Sequence, residues 1–165
     1  MMKGGAIITA ALCAALASAC AAGTNYARTA AEPPPSPTLE QVVYEAQPGK
    51  IRIEGHYAMD SGKWVWVAGE WTDEEEGKVW RDGVWQQRGD QWYWMEGGWE
   101  DARSGHVRVR GHWDKQGDNM VFVPGYWEAK RPGQVWQEGK WAKVGDKQFW
   151  QVGRWVKDSE ATAAR

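Results

Sequence analysis

The sequence predicts an all-β protein, an antiparallel meander of about eight strands built from 14-residue repeats. Three observations predict it: a glycine recurs every 14 residues, an aromatic residue follows each glycine by two positions, and an apolar residue precedes it by four. The glycines are Gly55, Gly69, Gly83, Gly97, Gly111, Gly125, Gly139 and Gly153. Such self-similarity is typical of repeat architectures, in which each unit buries its apolar face against its neighbours.

Residue types alternate within a unit as they do in a strand. In residues 64–71 the odd-numbered positions share one face and the even-numbered positions the other. We take the face with the apolar residue and the trailing aromatic as the core face. We expect a neighbouring Trp ring to cover the glycine there. A helix is disfavoured because glycine, β-branched and aromatic residues recur in every unit.

Short turn sequences between the units predict antiparallel neighbours. We expect the aromatic two residues after one glycine to lie opposite the apolar residue four before the next. An open, twisted sheet is the favoured arrangement, and a closed barrel is the alternative, because equal repeats accumulate no register stagger. A third alternative places an extra turn at each x-Gly pair, as Asp82-Gly83 would suit, and so gives two short strands per unit.

The N-terminus has the features of an export signal. Residues 1–19 combine Lys3, an apolar stretch over residues 6–17 and the small residues 17–19, directly before Cys20. Either signal peptidase cuts here and Cys20 is incidental, or the segment is a lipobox and Cys20 is lipidated. We favour lipidation, because removal of Cys13 with the signal leaves Cys20 as a thiol without an intramolecular partner.

The chain therefore divides into four predicted segments. Residues 1–19 are a signal peptide, and residues 20–49 are the anchoring Cys and a proline-rich, disordered tether. Residues 50–157 form the repeat domain, and residues 158–165 a disordered tail.

Five segments match the pattern W-x-x-G-x-W, and residues 122–127 are a close variant. The matching segments are residues 66–71, 80–85, 94–99, 136–141 and 150–155. The chain resembles the bacterial YXWGXW (WXXGXW) repeat proteins, and this resemblance implies an exported or lipid-anchored protein. Arg52 and Arg108 stand where the other units have a leading aromatic residue.

A row of aromatic residues is the candidate ligand surface. On a continuous strand the leading aromatics would lie on the face opposite the core, where a ladder of rings suits stacking with sugars. The alternative, which we favour, is that both faces are buried and these rings belong to the core. The residues are Trp64, Trp66, Trp80, Trp92, Trp94, Trp136 and Trp150, with Phe122 in the same row.

Other chemistry is weakly indicated. The balance of 20 basic and 22 acidic residues argues against nucleic-acid binding. The three His have no convincing ligand spacing, so we expect no metal and no cofactor. Glu54, Asp82, Glu96 and Glu138 recur before glycines, and we expect them on the surface.

These observations predict a non-enzymatic lipoprotein of the cell envelope, a structural or interaction module held at the membrane by Cys20. The alternative is a carbohydrate-binding protein. The expected partners are the membrane and an envelope protein or polysaccharide, and a homo-oligomer is left open.

Overall fold

The computed structural model describes residues 25–163, with side chains through residue 160. The predicted signal peptide and Cys20 lie outside the described residues. The predicted all-β class and antiparallel hairpin meander are confirmed. The repeats form four long hairpins, here called hairpins 1 to 4, each built from two 14-residue units.

Each hairpin contains four short strands. Hairpin 1 has β2 (Lys50–Ile53), β3 (His56–Asp60), β4 (Lys63–Val67) and β5 (Glu70–Asp73). Hairpin 2 has β6 (Lys78–Arg81), β7 (Val84–Arg88), β8 (Gln91–Met95) and β9 (Gly98–Asp101). Hairpin 3 has β10 (His106–Val109), β11 (His112–Gln116), β12 (Asn119–Val123) and β13 (Tyr126–Ala129). Hairpin 4 has β14 (Gln134–Gln137), β15 (Lys140–Val144), β16 (Lys147–Gln151) and β17 (Arg154–Lys157).

Two kinds of turn alternate along the chain. The inner strands of each hairpin are joined by two residues that include a glycine with positive φ: Gly62, Gly89, Gly117 or Gly145. Consecutive hairpins are joined by four residues that end in Gly77, Gly105 or Gly133, also with positive φ. Since only glycine adopts this backbone readily, these positions define both turns. The structural repeat is therefore the hairpin, which is twice as long as the sequence repeat.

The predicted strand count is corrected, because each unit supplies two short strands instead of one long strand. In hairpin 1, β2 pairs with β5 and β3 pairs with β4. The two arms of the hairpin are interrupted at the same level, between these two ladders. A Cβ placed on Gly55 would lie 2.9 Å from the backbone N of Gly69. The x-Gly pair is thus a break between two ladders. The two short strands per unit of our third alternative are observed, but the extra turn that it placed at the x-Gly pair is not. Every sheet in the described part of the chain has two or three strands, so neither the continuous open sheet nor the barrel forms.

The predicted register is wrong by one residue. The trailing aromatic of the first unit lies opposite the leading aromatic of the second, as in Tyr57 with Trp66 and Trp85 with Trp94. Directly opposite residues point to the same face, so the leading aromatics do not lie on the face opposite the trailing ones. The prediction failed because it counted alternation through the glycine, where the strand is interrupted.

The same pairing holds in the outer ladders. Trp80 lies opposite Trp99 with ring centroids 5.4 Å apart, and Trp136 lies opposite Trp155 at 5.5 Å. Arg52 and Arg108, which stand in place of leading aromatics, occupy equivalent positions in hairpins 1 and 3. The Arg52 guanidinium lies 5.4 Å from the centre of its partner ring, Trp71, and so replaces an aromatic contact by a cation–π contact.

A ring covers most of the repeat glycines, as expected. The Trp66 ring reaches to 2.5 Å from a Cβ placed on Gly55, and the Trp150 ring to 2.6 Å from one on Gly139. The covering ring belongs to the leading aromatic of the partner unit. The glycine is required because the ring occupies the volume of a side chain.

Residues 26–44, here called the strap, correct the prediction of a disordered tether. Ala27 forms a β-bridge with Met59 of hairpin 1, and β1 (Thr29–Ala30) pairs with β8 of hairpin 2. The helix α1 (Leu39–Val42) follows, with Val42 only 2% exposed. The strap therefore holds neighbouring hairpins together by backbone pairing and apolar burial.

The expected disordered tail is also corrected in its described part. Residues Asp158–Ala163 form a short helix, α2, which contacts β14 and β17. Among the residues described, no helix is long and apolar enough to cross a lipid bilayer.

Candidate binding site

An aromatic cavity of about 320 Å³ lies between hairpins 1, 2 and 3 and the strap. We call it the aromatic groove. Its rings are His56, Tyr57, Trp85, Trp92, Trp94, Trp113 and Phe122, and its other lining residues include Pro34, Pro35, Ser36, Glu54 and Met120. A largely apolar cavity with a few polar groups is the usual form of a binding site.

Hydrogen bonds and ring stacking fix the walls of the groove. The indole Nε1 of Trp85 donates to the Tyr57 carbonyl at 2.7 Å, and that of Trp113 donates to the Gly55 carbonyl at 3.0 Å. The His56 ring stacks on Trp94 with centroids 4.2 Å apart and planes 16° apart. Burial lowers the pKa of His56 below its ordinary value of 6.5, so this ring is neutral at pH 7.

A second feature, a row of buried and half-buried charged groups, runs beside the groove. Glu54, Asp82, Arg110 and Glu138 each precede the glycine in the first unit of a hairpin, and we call them the polar spine. They connect successive elements: Tyr44 Oη donates to Glu54 Oε1 at 2.8 Å, and the Gly111 N–H donates to Asp82 Oδ2 at 3.1 Å.

Burial changes the ionisation of the spine carboxyls. It raises the pKa of Glu54 to about 8 and that of Asp82 to about 6, while the Arg110 guanidinium acts in the opposite direction on both. The pKa of Glu138 is raised as well, mainly by burial. Glu54 therefore brings a neutral carboxyl group to the groove at pH 7. The expectation that these carboxylates lie on the surface is wrong for Glu54 and Asp82, which are buried, and for the half-buried Glu138, while Glu96 is exposed as expected.

The four hairpins coincide with the copies matched by a family model for the WXXGXW repeat. The matched residues are 53–72, 79–100, 103–128 and 131–156. The chain belongs to the WXXGXW repeat family. This WXXGXW family is not a known enzyme family. Neither a curated protein nor a solved structure matches the chain.

Most of the predicted ligand-binding Trp residues are leading aromatics of the WXXGXW motif, and their place in the hairpins follows from the motif. All seven are half-buried. Trp92 and Trp94 line the groove, and Trp66 and Trp64 contact its walls through Trp113 and Trp85. Trp80 and Trp136 pair within the outer ladders, and Trp150 stacks on His112 with centroids 4.5 Å apart. These residues therefore do not form an exposed row. The structure agrees better with the favoured alternative, in which the rings are packed, because five of these residues are leading aromatics whose rings pack across their own hairpins.

Sequence reasoning did not predict the stacked His rings or the polar spine. His56 and His112 occupy equivalent positions in hairpins 1 and 3, and each stacks on a leading Trp of the next hairpin. The polar spine likewise recurs only in first units, whereas the equivalent positions in the second units hold Ala68, Pro124, Val152 and the exposed Glu96. A comparison of alternate units, instead of consecutive ones, would have revealed the spine. In residues 25–163, no three His, Cys, Asp or Glu side chains come together to hold a metal.

Proposed function

We propose that this WXXGXW-repeat protein is an exported, lipid-anchored interaction module of the cell envelope without a catalytic role. The sequence before Cys20, the lack of a second thiol in the mature chain and the family membership support the anchor. The aromatic groove is the proposed interaction site. Rigid walls and a small number of polar groups suit binding of a partner segment.

The observation that carries the proposal is the packing of the strap. The bridge from Ala27 to Met59 means that the folded domain begins shortly after Cys20. So few residues span at most about 25 Å. A lipid on Cys20 would thus hold the groove close to the membrane surface and to other anchored molecules.

Replacement of the anchor tests this function. We expect Cys20→Ser to move the protein from the membrane fraction to the soluble fraction without changing its β-sheet circular dichroism. The mature wild-type N-terminus should carry the mass of a lipid in a mass spectrum. Membrane retention of the Cys20→Ser protein, or an unmodified wild-type N-terminus, would contradict the anchor.

Carbohydrate binding is the second candidate, favoured by the position of Trp92. This residue lies opposite Gln87 and Ala30 rather than another aromatic, so it is a groove residue outside the hairpin ring pairs. If sugars stack on it, Trp92→Ala should weaken glycan binding by about tenfold, since 1.4 kcal/mol is a factor of ten in affinity. Phe149→Ala, an exposed residue of hairpin 4, is the control and should bind normally. Equal binding by both variants would exclude this groove as the sugar site.

A further inference from the structure

We infer that the aromatic groove recognises a polyproline II segment and that its partner is the strap of a second copy of this chain. The inference rests on the proposed interaction function and names the partner. In the single chain, the chain's own strap forms one wall of the groove through Pro34, Pro35 and Ser36. Exchange of straps between two copies would join them into a dimer.

The burial of the proline segment has the period of a polyproline II helix. Pro34 is half-buried and Pro37 is buried, whereas Pro33, Pro35 and Ser36 are exposed. A polyproline II helix has three residues per turn, so residues three apart face the same side. The adjoining Thr38 has φ −77° and ψ 161°, which continue this extended conformation. The sequence P-P-S-P therefore packs two prolines on one side of the segment, and Pro34 is the one of these two that lines the groove.

The groove has the features that proline-rich segments use for docking. Aromatic rings lining a groove bind P-x-x-P segments, whose preformed conformation costs little entropy to order. Ser36 aligns the strap with hairpin 3, because its Oγ accepts a hydrogen bond from the Met120 N–H at 2.7 Å and donates one to the Met120 carbonyl at 3.2 Å. These two bonds place the strap along β12, which pairs with β11.

The connection between the strap and hairpin 1 is suited to exchange. Residues 45–49 are all exposed, and the connection ends in a turn at Pro48 and Gly49. A strap that leaves its own groove and enters that of a second copy can form the same contacts again, as in domain swapping. The equilibrium between the single chain and the dimer with exchanged straps then depends mainly on the concentration of chains.

Concentration sets when exchange becomes visible. A segment on a short flexible connection competes for its own site at an effective concentration of about 1 mM. Exchanged dimers should therefore be rare in dilute solution and abundant near that concentration. Anchored copies on a membrane are confined to two dimensions, which favours the exchanged state.

Disulfide trapping tests the exchange in the mature chain with Cys20→Ser, which leaves no native thiol. Ser36→Cys and Met120→Cys are made separately, mixed near 1 mM and oxidised. We expect a disulfide-linked heterodimer whose yield rises with concentration up to about 1 mM, the effective concentration of the strap in its own chain. The matched control pairs Ser36→Cys with Val152→Cys, an exposed residue of hairpin 4, and should give little heterodimer. The double variant Ser36→Cys/Met120→Cys should close within one chain in dilute solution, which reports the folded strap.

A peptide of residues 32–38 provides a second measurement that needs no variant of the groove. It should quench the Trp fluorescence of the Cys20→Ser chain near 1 mM and reduce heterodimer formation, whereas the same peptide with Pro34→Ala and Pro37→Ala should do neither. Closure within one chain without any heterodimer, or no peptide binding, would overturn the inference. Displacement of the peptide by an oligosaccharide would also overturn it, in favour of the carbohydrate alternative. Both measurements use soluble protein, so their failure is distinct from a failure of the proposed anchor.

Discussion

The repeat glycines are needed because another residue's atoms occupy the space of their missing side chains. A Cβ on Gly97 would lie 2.8 Å from the backbone N of Gly83 and 3.1 Å from the Trp80 ring. The adjacent Gly98 has no atom within 4 Å of the same position. Two neighbouring glycines thus have opposite roles, which the sequence alone does not distinguish.

This contrast gives a matched pair of substitutions. Gly97→Ala should lower the free energy of unfolding by about 1–3 kcal/mol, because the backbone of the facing arm must move to admit a methyl group. Gly98→Ala should change it by less than about 0.5 kcal/mol. Urea unfolding followed by Trp fluorescence measures both, and equal effects would contradict the close approach of the two arms.

The pKa of Glu54 predicts how stability depends on pH. Burial raises this pKa from 4.5 to about 8, so between these values the native state binds more protons than the unfolded state. The contribution of Glu54 to stability is therefore full below pH 4.5 and is lost as the pH rises through 8.

Glu54→Gln, which keeps an acceptor for Tyr44, should remove this dependence. The unfolding free energy of the wild type should fall relative to that of the variant between pH 5 and pH 8, in denaturant titrations at each pH. Asp82 contributes in the same direction at lower pH, and it is present in both proteins. Parallel pH profiles would contradict a buried, protonated Glu54.

At the scale of the hairpin, rings paired across the strands stabilise each ladder. Trp80 and Trp99 meet edge to face at 5.4 Å, the geometry that aromatic pairs prefer. A double-mutant cycle of Trp80→Ala and Trp99→Ala should give a coupling energy of about 0.5–1.5 kcal/mol. The cycle of Trp80→Ala with Trp155→Ala, in different hairpins, should be additive. Additivity in both cycles would exclude the observed register.

The sequence predicts the hairpins better than their register. Glycine spacing and turn residues are local signals, so the antiparallel units follow from them. The position of Trp85 relative to Trp94 depends on whether the strand continues through Gly83, and alternation of side chains cannot reveal an interruption. The turn glycines Gly77, Gly105 and Gly133 mark the true repeat, which is a pair of sequence units.

At the scale of the molecule, the strap and the polar spine hold the hairpins together. The strap pairs with hairpins 1 and 2 and bonds to hairpin 3 through Ser36. Its proline content resembles that of a disordered linker, and contacts with hairpins 1 to 3 order it. These contacts join residues such as Ser36 and Met120, which are 84 positions apart, so local sequence does not predict this half of the candidate site.

Val42 tests the role of the strap in the whole domain. Val42→Ala removes buried methyl groups and should cost about 2 kcal/mol. Hydrogen exchange should show reduced protection in hairpins 1 to 3 and the smallest change in hairpin 4. Loss of protection confined to residues 26–44 would show that the strap does not stabilise the hairpins.

Nuclear Overhauser effects between aromatic side chains test the central arrangement most directly. The account predicts cross-peaks between the Trp85 and Trp94 rings, and between the Trp94 ring and the Gly83 α-protons, which should shift upfield under the indole. Cross-peaks that place Trp85 opposite Tyr93, with unshifted Gly83 α-protons, would contradict the interrupted hairpin and the groove built on it.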